Sequence, residues 1–207
     1  MNVLLLNGSP HERGCTYTAL SAVAETMEHE GISTEIFWAG NEPVQDCVDC
    51  GACDTAHACA YGGDGVNAFL AKAKKADGFV FGTPVYFSHP TGSILSFLDR
   101  ALYGCRDLFA HKPGAAVAVA RRAGNVASVD VLNKYFTIAE MPVVSSTYWN
   151  VAHGRAPGEV SQDAEGLQTM RNLAHNLAWL LRCIEAGKAA GITPPESERS
   201  SQTNFIR

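Results

Sequence analysis

The sequence predicts an open, doubly wound α/β fold: a parallel sheet of five strands with helices on both faces. Three observations predict it. Short apolar runs lack the polar alternation of a half-exposed strand, as strands buried on both faces do. Stretches with helical spacing of apolar residues separate them. Glycine, proline and asparagine stand at the joints. Elements alternating in this way form one doubly wound domain, and 207 residues suffice for one core.

The elements follow in order. Val3 to Leu6 is the first strand run, and Asn7-Gly8-Ser9-Pro10 stops it. Thr16 to Glu30 is helical, with Leu20, Val23, Ala24 and Met27 on one face and Gly31 closing it. Thr34 to Trp38 reads as the second strand, and a cysteine-rich loop leads to a helix over Val66 to Lys75. Gly78 to Gly82 is the third strand, broken by Thr83-Pro84, and Ile94, Leu95, Leu98, Ala101 and Leu102 mark the next helix. Ala115 to Ala120 is the fourth strand, Val126 to Ala139 a helix, and Pro142 to Trp149 the fifth strand. Leu167, Met170, Ala174, Leu177, Leu181 and Ile184 keep helical spacing in a last long helix, which Gly187 can end. The reading is one domain over residues 1–188 and a tail over 189–207. The tail is rich in Pro, Ser and Glu and is expected to be mobile or packed on a partner.

Composition excludes several classes. The net charge of −5 gives no reason for a nucleic acid or an anionic membrane as partner. No apolar run reaches the ~20 residues of a membrane helix. Met1 to Asn7 is too short for a signal peptide and has no positive flank, so the expected location is the cytoplasm. In that reducing compartment the seven cysteines read as thiols, metal ligands or redox groups rather than disulfides.

In such a sheet the ligand sits beyond the carboxyl ends of the strands, at the switch point. The first loop there runs from Asn7 to Thr18 and joins a strand to a helix N-terminus. Free amides and the positive helix end make it a phosphate cradle, with hydroxyls from Ser9, Thr16 and Thr18 and charge from His11 or Arg13. It lacks the Lys of a P-loop and the dinucleotide glycine spacing, which favours a monophosphate. A polar, capped turn is the plain alternative. The third-strand loop, Gly82 to Gly92, carries Pro84, Val85, Tyr86 and Phe87, a stiff aromatic wall for a flat ring. Arg121-Arg122-Ala123-Gly124 brings cations and a flexible backbone to the same edge. Those arginines suit an anionic reduced ring or a nicotinamide phosphate, and equally a solvated surface pair.

Asn7-Gly8-Ser9-Pro10, Gly82-Thr83-Pro84-Val85-Tyr86-Phe87 and Phe97-Leu98-Asp99-Arg100 together resemble the NAD(P)H-dependent FMN reductases and iron–sulfur flavoproteins of the flavodoxin-like superfamily. The resemblance covers roughly Met1 to Gly187 and implies strand order 2-1-3-4-5. It implies an FMN phosphate held by Ser9, His11, Gly14, Cys15, Thr16 and Tyr17. The flavin ring would lie against Pro84, Val85, Tyr86 and Phe87, with Arg121, Arg122 and Gly124 beside it. The family usually has Arg where His11 stands and Asn where Cys15 stands. Electrons would pass from NAD(P)H through FMN to a small-molecule acceptor or redox protein, with no side chain needed as a general base. The resemblance also implies a homodimer or homotetramer.

Cys47, Cys50, Cys53 and Cys59 put four thiols within thirteen residues. They could enclose a [4Fe–4S] cluster or a zinc, stay free or form a redox disulfide, or pack as small hydrophobes. The pattern resembles the cluster loop of iron–sulfur flavoproteins, which makes a cluster-bearing electron carrier the alternative function. A flavodoxin-like carrier or binding module without reductase activity is another. A thiol at a helix N-terminus, as at Cys15, would have a lowered pKa. A phosphatase-like Cys-x5-Arg loop would need Arg where Ser21 stands, so Cys15 is read as a small residue packed near the phosphate. Cys105 and Cys183 read as structural, and His175 as a surface or interface residue.

Overall fold

The structure is a computed structural model and describes residues 1–203; residues 204–207, the end of the tail assigned to 189–207, lie outside the described residues. β1 (Asn2–Asn7) is buried from Val3 onward, as a run without polar alternation requires. It pairs in parallel with β2 (Ser33–Trp38) on one side and β3 (Gly78–Tyr86) on the other. β5 (Gly114–Ala120) continues the sheet from β3, and β6 (Val151–His153) closes it. The two-residue strand β4 (His89–Pro90) pairs antiparallel with the end of β3. The order β2-β1-β3-β5-β6 is the expected 2-1-3-4-5 once β4 is set aside.

Alternation along the strands builds two cores. Leu4, Leu6, Phe79, Phe81, Ala116 and Ala118 face α3 (Val66–Ala73), α4 (Gly92–Tyr103) and α5 (Asn125–Ile138). Val3, Leu5, Val80 and Val117 face α1 (Cys15–His29) and α7 (Ala164–Ala189). The first core is aromatic: Phe69 sits 5.5 Å from Phe97 and 5.6 Å from Phe37, both edge-on. Such pairs add about 0.5–1.5 kcal/mol to simple burial. No helix among the described residues is long and apolar enough to cross a membrane.

Three expectations need correction. The fifth strand is not Pro142–Trp149: Val143 makes an isolated bridge to Gly114, and the strand forms at Val151–His153. The intervening segment bonds toward α7 instead. Ser146 donates to the Thr169 carbonyl (2.7 Å), and Asn176 reaches the Ser145 carbonyl (2.8 Å). These contacts draw the chain off the sheet edge. β3 is not broken at Thr83-Pro84 but runs to Tyr86. The Gly82 carbonyl bonds toward the β1 side, so the N of Pro84, two residues on, faces the same side, where β1 has ended and no donor is needed. The last helix passes Gly187 and stops before Gly191, which takes φ +82°. Two short helices were not foreseen: α2 (Cys53–Ala56) lies in the cysteine-rich loop, and α6 (Pro157–Val160) in a stretch to which the sequence assigns no element. The tail folds back on the chain, where Arg199 pairs with Glu140 (2.6 Å) and Asp107 (3.1 Å).

Phe69→Ala should cost about 3–5 kcal/mol of unfolding free energy in urea titrations, because four rings close around it. A loss below about 1 kcal/mol would mean that this cluster is not the packing centre of its face.

Candidate functional site

The carboxyl ends of β1, β3 and β5 bring three loops to one edge. The first begins with Asn7, which is wholly buried. Its Nδ2 donates to the Glu12 carbonyl (2.9 Å) and its Oδ1 accepts from the Ser9 amide (3.1 Å). The Ser9 hydroxyl accepts from the His11 amide (3.1 Å), and the Ser9 carbonyl accepts from Trp38 Nε1 (2.9 Å). The loop is thus shaped by side chains rather than by a glycine fingerprint.

The loop enters α1 through Gly14, which supplies no side-chain cap. The first-turn amides of Cys15, Thr16 and Tyr17 lie ahead of the helical ladder, the arrangement that accepts anions. Thr16 is fully buried, and its Oγ1 has no hydrogen-bond partner among the described residues. A buried hydroxyl without a partner costs about 1–3 kcal/mol, so this donor fits a phosphate monoester. Thr18 does not contribute as expected, because its hydroxyl donates to the Gly14 carbonyl (3.3 Å). Cys15 behaves as a packed small residue, not as an activated thiol. Burial pushes its thiol above the usual range and outweighs its own backbone hydrogen bond, so it is a neutral packing residue. His11 and Arg13 are exposed, and Arg13 lies 5.7 Å over the Tyr17 ring.

The third-strand loop is a hairpin. Val85 pairs with Pro90 and Tyr86 with His89, leaving Phe87 and Ser88 at the tip. Both tip residues have positive φ, +53° and +60°, in a two-residue turn that usually holds Asn-Gly. Phe87 is fully exposed and Tyr86 half exposed, while Pro84 and Val85 are half buried. A bulky residue held left-handed in open solvent is strained, and such strain concentrates at binding sites. This hairpin gave no sequence signal, because neither Phe87 nor Ser88 is a usual residue for that turn.

The loops are stitched together. The Gly8 amide donates to the Gly82 carbonyl (2.9 Å), and Thr91 Oγ1, the cap of α4, donates to the Gly8 carbonyl (3.1 Å). Gly124, at φ +89°, packs so tightly on the hairpin tip that a Cβ there would lie 2.6 Å from Ser88 Cα. Arg121 and Arg122 stand exposed beside it. All three predicted loops therefore meet at one edge.

The cysteine loop lies apart from that edge, along α4. Cys47, Cys50, Cys53 and Cys59 line one pocket with Tyr103 and Arg100, while all seven cysteines are unpaired thiols. Among the described residues no three ligands converge on a single-ion site. The set of four thiols suits a larger iron–sulfur group by its chemistry. Asp49 accepts from the Tyr103 hydroxyl (2.8 Å), and Asp46 from Ser96, so two of the three acidic residues near the cysteines bond to α4. Burial lifts the Cys53 thiol, and Asp54, Cys47 and Cys50 lift it further. Cys105 is buried between α4 and a short 3-10 turn, and Cys183 is exposed. His175 is a surface residue bonded to Glu30 (2.8 Å).

The sequence profile of the family described as NADPH-dependent FMN reductase matches residues 1–156. An iron–sulfur flavoprotein of Methanocaldococcus jannaschii is 30% identical over 197 residues, covering 89% of this chain and all of that protein. An iron–sulfur flavoprotein of Methanosarcina thermophila is 26% identical, over 91% of this chain and 99% of its own. Among solved structures, RosB with bound 8-demethyl-8-formylriboflavin-5'-phosphate superposes with TM-score 0.69 at 17% identity, covering 100% of this chain and 92% of RosB. A flavodoxin from the domain Archaea superposes with TM-score 0.61 at 13% identity, covering 88% and 99%. At these identities the two superpositions establish the fold.

Gly124→Ala should destabilise the chain by about 1–3 kcal/mol, since it forces a left-handed alanine against Ser88. An unchanged melting temperature would show that the two loops do not hold each other.

Proposed function

The chain belongs to the NADPH-dependent FMN reductase family and is an FMN-dependent oxidoreductase; from that premise we propose that the α1 turn holds the FMN phosphate and the hairpin holds the ring. The observation that carries this reading is the unpartnered Thr16 hydroxyl beside an uncapped helix N-terminus, at the edge where the hairpin and the Gly124 loop meet. Ser9 and the amides of Cys15 to Tyr17 complete the phosphate contacts, and exposed His11 or Arg13 adds charge. Pro84, Val85, Tyr86 and Phe87 wall the ring, and the strained tip holds Phe87 outward to meet it. Arg121 and Arg122 place positive charge where a reduced ring gains negative charge. Bound FMN supplies hydride-accepting and one-electron chemistry, so no side chain need act as a general base. The open face admits a reduced nicotinamide and then a small acceptor. The exposed Phe87, Tyr148 and Trp149 favour a homodimer or homotetramer, and seven free thiols favour the cytoplasm.

One observation favours a second component: four cysteines line a single pocket. We propose that Cys47, Cys50, Cys53 and Cys59 hold a [4Fe–4S] cluster, making the chain an iron–sulfur flavoprotein. Protein prepared without oxygen should then contain about four irons and four sulfides per chain. Absence of both would overturn this part and leave the flavin reading standing.

Thr16→Val tests the phosphate site. Losing a hydrogen bond to a charged group should weaken FMN binding about tenfold or more in a fluorescence titration. The flavin-free variant should be no less stable than the parent, because it removes an unsatisfied buried hydroxyl. Unchanged affinity would move the phosphate elsewhere.

A further inference from the structure

Arg100 lies midway along α4 and is only 3% exposed. Removing a guanidinium from water costs several kcal/mol, so its partners define its role. Nε donates to the Cys59 sulfur (3.2 Å). One terminal nitrogen donates to the Gln45 carbonyl (3.2 Å) and the other to the Tyr61 carbonyl (2.7 Å). The Asp64 carboxylate pairs with the same two nitrogens. Burial works against the charge on Arg100, but Asp64 and Cys59 outweigh it and hold the group charged.

The spacing of these partners matters. Gln45 stands two residues before Cys47, and Tyr61 two residues after Cys59. One side chain therefore grips both ends of the segment that carries all four cysteines. Cys59 is fixed a second time by Asn67, which accepts from its amide and donates to its carbonyl, each at 2.9 Å. The bond to sulfur uses Nε, whereas Asp64 meets the terminal nitrogens, so the sulfur contact is separate from the ion pair. Lysine has no planar fork and could not reach all these acceptors at once.

We propose that Arg100 is the positioning residue of the four-cysteine loop, fixing both ends and holding the Cys59 sulfur by a cationic hydrogen bond. Its influence on a cluster rests on the [4Fe–4S] reading above. A cationic donor on a ligand sulfur stabilises the more negative, reduced cluster, so Arg100 raises the reduction potential.

The test compares parent, Arg100→Gln, Arg100→Lys and Asp64→Asn, all prepared without oxygen and loaded with FMN. Iron and sulfide are measured first. Release of iron to a chelator, the cluster midpoint potential and amide exchange over residues 45–61 follow. Arg100→Gln should release iron about tenfold faster or more, shift the potential negative and increase exchange across 45–61. Arg100→Lys should loosen the segment similarly but shift the potential less, because the charge remains. Asp64→Asn should lower the melting temperature with a smaller potential shift than Arg100→Gln. Wild-type release rate, potential and exchange in both Arg100 variants, even with a lower melting temperature, would overturn the proposal and leave a buried ion pair. A parent without iron would sink the cluster reading alone; exchange over 45–61 would then decide, and protection unchanged in Arg100→Gln or, if that variant does not fold, in Arg100→Lys would overturn the positioning role.

Discussion

The functional edge depends on the carboxamide of Asn7. β1 is buried on both faces, so the chain leaves it at a fixed point, and Asn7 is wholly buried there. Its donor and acceptor are both satisfied within the next five residues, by the Glu12 carbonyl and the Ser9 amide. That pairing curls the loop so that it delivers Gly14, without a capping side chain, to the start of α1. The helix end is left with unpaired donors, which is what an anion needs. Replacing the carboxamide would leave the buried Ser9 amide without its acceptor, free the Glu12 carbonyl and release the turn that positions Thr16.

Helix α4 links this edge to the cysteine loop. Its cap, Thr91, bonds to Gly8 in the first loop, and its buried Arg100 grips the loop ends near Cys47 and Cys59. One rigid element of twelve residues thus positions both proposed redox sites relative to each other. The close approaches that fix the proposed flavin edge are made by glycines. Gly8 lies against Ile94 of α4, Gly82 against Leu20 of α1, and Gly124 against Ser88. In each case a Cβ would need space that a neighbouring side chain or backbone already fills.

Much of this was legible in the sequence. Continuous apolar runs such as Val3 to Leu6 and Ala115 to Ala120 read correctly as central parallel strands, because burial on both faces erases alternation. What escaped was decided by tertiary contacts. The stretch from Pro142 to Trp149 has strand-like content, but its hydroxyls and carbonyls bond to α7. Pro84 looked like a strand breaker because the point at which β1 ends cannot be seen in one run of residues. The hairpin tip escaped because Phe87 and Ser88 adopt backbone angles that propensity assigns to Asn and Gly. At the candidate site, the convergence of the three loops was foreseen. The loss of the Thr18 hydroxyl to its own helix was not. Arg100 was visible only as part of a family motif, since the four partners that define it lie 36 to 55 residues away.

The central claim is that this edge binds FMN and delivers to it electrons from a reduced nicotinamide. The most direct measurement is rapid anaerobic mixing of the FMN-loaded chain with NADPH, following the flavin absorption band. The account predicts that the band bleaches fully and that a small acceptor then restores it. A band that NADPH leaves unchanged, while a chemical reductant bleaches it, would contradict the account and make the chain an electron carrier reduced by some other donor.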